Sequence, residues 1–218
     1  MKKEAKFFRE AAWSQLKGNW KPAVLFTLVY VIITSVAQII GSKSDLVSIL
    51  ISLLALLPLG YGYYVAFLDF KRTGETVKIA QLFDAFKDYG RVALTCILQC
   101  IYIFLWTLLL IVPGIIKSLS YSQTYYILKD YPELKNNEAI ELSMAMMKGH
   151  KFDYFYLTLT FIGWILLSIL TLGIGFLWIS PYIATASAHF YEYVKEDYER
   201  RLLEQSGSPL PEQIESIQ

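Results

Sequence analysis

Apart from Lys129 and Glu192 at the very ends of two segments, Lys117 is the one Asp, Glu, Lys or Arg inside the segments of this sequence that are apolar enough to lie in a membrane, and its neighbours are polar. On a helix, Ser120, Tyr121 and Thr124 continue its stripe, Gln123 is adjacent, and Ser118, Ser122, Tyr125 and Tyr126 lie further around. Charged groups within a bilayer are the first functional suspects. A helix this rich in hydroxyls and amides belongs inside a bundle or against a wet cavity, not against lipid. Gln38 and Gln99 are further amides expected to be buried and able to point to the same centre. Such a set can bind or pass a polar group. The competing reading is that Lys117 snorkels, its four-carbon stem carrying the ammonium to the outer head groups.

Catalytic patterns are missing. The sequence has no Walker loop, HExxH, GxSxG, EF-hand or paired intramembrane carboxylates. Cys96 and Cys100 sit four apart without a His or Cys partner nearby and read as apolar filler, not metal ligands or a disulfide. No cofactor, metal or enzymatic activity is expected. His189 reads as a hydrogen-bonded interfacial residue, and Met144, Met146 and Met147 as one buried helix face. Ser180, Ala184 and Ala188 form a small-residue face for close helix packing, and Gly60 and Gly62 allow close helix contact.

These residues must be positioned by membrane helices. Of 218 residues, 55% are hydrophobic and only 18% charged, against roughly 45–50% and 25% in soluble domains. Four uncharged stretches, between Lys21 and Lys43, Asp45 and Asp69, Arg91 and Lys117, and Asp153 and Glu192, cover about half the chain. A span needs roughly 20 apolar residues. A soluble single-core domain, a secreted disulfide scaffold and a nucleic-acid binder are thereby excluded. The last stretch is too long for one span, and Gly173 and Gly175 offer a turn within it. Pro113, tolerated in a first helical turn, opens a further short span over residues 113–129. The expectation is an all-α bundle of six transmembrane helices, at about 22–41, 46–68, 92–112, 113–129, 154–170 and 176–193, in one domain over residues 1–204. With six spans, 18 of the 20 Lys and Arg residues fall on one side, leaving Lys43 and Lys117 on the other. The positive-inside rule then places both termini in the cytoplasm. The basic leader of 21 residues and the span that follows at once argue against a cleaved signal peptide.

Three amphipathic segments precede the odd-numbered spans. Ala5, Phe8, Ala12 and Leu16 recur at helical spacing before Gly18, suited to a helix lying in the head-group plane. Ile79, Leu82, Phe83 and Phe86 do so before Gly90. Ile140, Leu142, Ser143, Met146 and Met147 follow a cap at Asn136 or Asn137 and end at Gly149. Leu16-Lys17-Gly18-Asn19 and Met147-Lys148-Gly149-His150 read alike. The chain reads as one unit, an interfacial helix and a membrane hairpin, used three times. Residues 205–218, with two Pro, read as a disordered cytoplasmic tail.

Several elements together resemble a bacterial membrane family grouped as domain of unknown function nine-seven-five. They include Pro58-Leu59-Gly60-Tyr61, Leu82-Phe83 with Phe86, Val112-Pro113-Gly114-Ile115 and Tyr126-Ile127-Leu128 with Asp130 and Pro132. Ala139-Ile140 with Ser143, Met146-Met147 with Gly149, Phe161-Ile162-Gly163-Trp164, Gly173-Ile174-Gly175 and Pro181-Tyr182 complete them. The Pro-Gly-Ile, Ala-x-x-x-Ser and Lys-Gly elements are more distantly similar to the membrane domain fused to some glycerophosphodiester phosphodiesterases, whose catalytic barrel has no counterpart here. The resemblance implies a six-helix bacterial inner-membrane protein and brings no activity or functional residues. The expected role is a non-enzymatic module that binds membrane lipids, a membrane protein partner or a second copy of itself, and no nucleic acid. The alternative is a small transporter or flippase for a lipid or amphiphile that uses the polar fourth helix.

Overall fold

The computed structural model describes residues 3–41 and 44–206; Lys43 and residues 207–218 of the expected tail lie outside the described residues. The described residues form helices and no strand. In chain order these are α1 (Ala5–Leu16), α2 (Trp20–Gly41), α3 (Asp45–Thr73), α4 (Ile79–Leu109) and α5 (Ile111–Ser120), then α6 (Thr124–Asp130), α7 (Asn137–Met146), α8 (Lys151–Leu170) and α9 (Phe176–Ser206). Four of them, α2, α3, α4 and α8, are long and apolar enough to cross a membrane.

The helices pair as three antiparallel hairpins, each pinched near its turn by the same device. A Cβ on Gly41 would come 3.0 Å from Ser48 Cα, one on Gly114 would come 2.3 Å from Thr107 Oγ1, and one on Gly175 would come 2.6 Å from Ser168 Oγ. In each case the glycine and the Ser or Thr stand seven residues apart, facing each other across the turn. The chain reverses between α4 and α5 at Leu110, which is fully extended (φ −159°, ψ 144°), and Pro113 falls in the first turn of the returning helix, where a missing N–H is harmless.

The exits that read alike are also built alike. Gly18 (φ 89°) and Gly149 (φ 92°) are both left-handed. The next residue's N–H closes each turn, Asn19 on Leu16 O at 2.8 Å and His150 on Met147 O at 3.1 Å. Leu16 and Met147 are both buried.

The amphipathic segments do not sit as their spacing suggested. In α1 the stripe of Ala5, Phe8, Ala12 and Leu16 is buried by protein, with the Phe8 ring 5.2 Å from Phe190 and 5.5 Å from Tyr193 of α9; Phe7 and Trp13 are left exposed. The first ten residues of α4, Ile79–Asp88, form a 3-10 helix. Its three-residue repeat splits the expected face. Leu82 and Ala85 are buried, while Ile79, Phe83 and Phe86 are exposed, and Phe86 stacks on Tyr89 at 5.7 Å. Leu82 lies so close to α3 that a Cβ on Gly62 would come 2.3 Å from Leu82 O; Gly60 has only Tyr30 Oη, at 3.9 Å. Within α3 the turn Ser52–Leu56 is a π-helix just ahead of Pro58. Pro58 cannot donate to Leu54 O four residues back, and Tyr89 Oη donates to that carbonyl instead, at 2.8 Å.

The expected continuous helix over residues 113–129 is interrupted. It stops at Ser120 and restarts at Thr124, with Tyr121 (φ −95°, ψ 0°) and Gln123 (φ −93°, ψ −3°) in flattened backbone. The hydroxyls explain this. Ser122 Oγ donates to Leu119 O at 2.9 Å and Thr124 Oγ1 to Tyr121 O at 2.8 Å, side-chain bonds that compete with the helical ladder. A second interruption, at Thr160 and Phe161, divides α8. In contrast, α9 runs unbroken through the expected boundary at 193 and onward to Ser206, with Pro181 inside it.

Candidate functional site

The break between α5 and α6 leaves backbone groups without helical partners, and other elements supply them. Ser143 Oγ, from α7, donates to Ser120 O at 2.8 Å and accepts the Gln123 N–H at 3.3 Å. Gln99 Nε2, from α4, donates to Tyr121 O at 3.3 Å. Ser120, Gln123, Thr124 and Ser143 are fully buried and Tyr121 nearly so. Irregular buried backbone is tolerated only when its polar groups are satisfied by protein or water in this way.

Beside the break lies a cavity of about 220 Å³, lined by Tyr64, Gln99, Ser122, Tyr125, Tyr126 and Tyr154. Its wall is not saturated. Gln99 Oε1 and Tyr126 Oη are buried without a hydrogen-bond partner, as is Gln123 Oε1 on the same interrupted turn. The amide orientations are set by their donors. Gln99 Nε2 is committed to Tyr121 O, and Gln123 Nε2 donates at 2.7 Å to Ser122 Oγ, whose own proton goes to Leu119 O. Both orphaned amide atoms are therefore acceptors.

The sequence-predicted centre is only partly assembled. Ser120, Tyr121, Gln123, Thr124 and Gln99 converge on the break. Gln38 does not join them; it is exposed on α2. Lys117 is half-buried one turn before the break and outside the cavity lining. Its Nζ lies 4.8 Å from the Trp106 ring centroid, 5.9 Å from that of Tyr121 and 3.7 Å from Met144 Sδ. An aromatic face on its own hairpin holds the charge. Sequence reasoning missed Tyr64, Tyr154 and the bridging role of Ser143. The tyrosines blend into the chain's 16, and only the packing of distant segments singles them out. Cys96 is buried among apolar side chains, Cys100 is exposed, and both thiols are free.

A second cavity of about 220 Å³ is apolar, lined by Trp13, Trp20, Trp164, Trp178 and Tyr182 among others. The Tyr182 hydroxyl donates to Arg9 O at 3.2 Å, tying α1 to α9 there.

The polar cavity is coupled by contact to a charged cluster at one end of the bundle. Tyr126 stacks on Tyr191 at 4.9 Å. Tyr191 Oη donates to Asp130 Oδ2 at 2.8 Å. Asp130 also takes a bidentate pair from Arg72 at 2.6 and 2.7 Å and an ammonium from Lys195 at 2.7 Å, while Arg72 Nε reaches Glu192 at 2.6 Å. Burial alone would raise the Asp130 carboxyl, but the bonds from Arg72, Lys195 and Tyr191 outweigh it and hold it at about 2. Arg91 Nη2 donates to Leu128 O at 3.0 Å, and His150 Nε2 lies 2.9 Å from Asp197 Oδ2, which fixes the bases of the second and third hairpins at this end.

Among known proteins, the model of the family described as "Protein of unknown function (DUF975)" matches residues 1–117 and 107–198. No curated protein and no solved structure matches the chain, so the distant similarity to phosphodiesterase membrane domains gains no support.

Proposed function

The chain belongs to the DUF975 family, and from that premise we propose that it is a six-pass protein of the bacterial plasma membrane, with both termini in the cytoplasm, that binds the polar end of a membrane lipid or other amphiphile without chemistry. In this layout α5 with α6, and α9, are the fourth and sixth crossings. The antiparallel hairpins support it, since Arg91 meets Leu128 at one end while Thr107 meets Gly114 at the other. A thiol placed at Leu142 in a cysteine-free background should resist an impermeant reagent in sealed, right-side-out cells; labelling would overturn the layout.

The binding reading is carried by one observation, the cavity beside the interrupted helix whose wall keeps unpartnered polar atoms. Buried polar groups without partners are rare, because each costs roughly 1–3 kcal/mol. A ligand or water that bonds to them removes that cost. Lipid co-purification under mild extraction tests it. The wild type should carry bound amphiphile that Gln99→Leu loses, whereas an empty wild type would reject the reading.

Transport is the second reading, favoured by the break itself, since interrupted membrane helices can expose backbone groups to a passing solute. Lys117→Ala combined with Thr124→Val should reduce flux of an amphiphile if it holds; unaltered flux would remove it. A membrane protein partner or a second copy is a further proposed contact for the exposed apolar faces.

A further inference from the structure

We propose that the polar cavity selects a cationic head group, an organic ammonium such as a quaternary ammonium amphiphile; this rests on the binding reading above and names its ligand class. Four of the six lining residues are tyrosines, Tyr64, Tyr125, Tyr126 and Tyr154, and none is Lys, Arg or His. Aromatic rings attract a cation through their negative faces, and sets of such rings are a recognised means of holding quaternary ammonium groups. The unpartnered amide atoms on and beside the wall, Gln99 Oε1 and Gln123 Oε1, are acceptors by the donor assignments above. They add negative partial charge and offer nothing to an anion. One N–H of each amide is already given away, to Tyr121 O and to Ser122 Oγ. A phosphate or sulfate would meet tyrosine rings and hydroxyls, the unpartnered Tyr126 Oη among them, but no positive charge to offset its desolvation. A soft ammonium, weakly hydrated and without strong directional needs, suits a wall that lacks a carboxylate. The neighbouring cation of the same hairpin, Lys117, is drawn away onto Trp106, so it does not compete for the site.

The test uses the full chain in neutral maltoside micelles. Binding of hexyltrimethylammonium, hexyl glucoside and hexyl sulfate is measured by calorimetry, with thermal unfolding as a control for folding. Hexyltrimethylammonium should bind about tenfold or more tighter than the other two. Tyr154→Phe, which keeps the ring, should stay within about twofold, whereas Tyr154→Leu and Tyr64→Leu should each weaken the ammonium by about tenfold. If the glucoside binds as tightly and Gln99→Leu abolishes it, the charge preference is overturned while the binding reading stands. Sulfate binding most tightly overturns the charge preference as well. If none of the three binds, both fall. Should Tyr154→Phe lose as much as Tyr154→Leu, the hydroxyl and not the ring is responsible, and the cation assignment fails.

Discussion

The two ends of the bundle are held by opposite means. At one end, Arg72, Asp130, Glu192 and Lys195 join three helices through short ion pairs, and His150 meets Asp197 beside them. At the other, Leu108–Val112 and Leu170–Ile174 contain no charged residue, and Leu172 is 94% exposed. Helices in lipid gain little by hiding apolar surface from one another. Cohesion must then come from close packing within each hairpin and from polar links between hairpins. Among the described residues, the structure puts ion pairs between hairpins at the base and, at the tips, contacts within each hairpin such as those of Gly41, Gly114 and Gly175. The base sets how hairpins sit relative to each other; the tips set only how each hairpin folds on itself.

Breaking the base should therefore cost most. Asp130→Ala takes the carboxylate from Lys195 and leaves Arg72 only Glu192, and it should lower stability by about 2–3 kcal/mol, below the usual cost of breaking a buried pair because Arg72 keeps that partner and is partly exposed. Thermal unfolding in detergent reads it. Asp130 is held at about 2 against its ordinary 3.8, so its contribution is whole above about pH 4 and drains away as the pH falls towards 2. Asp130→Asn should flatten that part of the acid profile. Gly62→Ala forces a Cβ against Leu82 O and should cost about 1–3 kcal/mol, while Gly60→Ala, with its nearest contact at 3.9 Å, should be silent in the same assay. Ser143→Ala, between base and tips, uncovers Ser120 O and the Gln123 N–H and should cost about 1 kcal/mol. It should also speed amide exchange at Gln123. Smallest of all, Leu172→Gly at a bare tip should raise stability by about 0.5 kcal/mol, because Leu172 holds a left-handed φ of 53°. A loss as large as that of Asp130→Ala would abolish the distinction between the ends.

Much of this was legible in the residues. The matching glycine exits and the turn ahead of Pro113 follow from local chemistry that acts within a few residues, and the missing side chain at Gly62 announced a close contact without naming Leu82 as its partner. The break at Tyr121–Gln123 was not, because each residue there tolerates a helix singly; only the run of hydroxyls hinted that carbonyls would be captured. The buried stripe of α1 was legible as a stripe but not as to what covers it, since lipid and the Phe190–Tyr193 face of α9 are equally apolar partners. The cavity was half legible. Gln99 and the polar turn stood out, whereas Tyr64 and Tyr154 arrive from α3 and α8 by long-range packing, and Gln38 turns outward because its helix presents another face to the bundle.

The bare tips carry a consequence for how this protein meets its surroundings. Whichever face of a bilayer they approach, the turns of the second and third hairpins present greasy knuckles with little peptide for a protease or an antibody to seize. For those two hairpins, lipid is the neighbour their tips are made to meet.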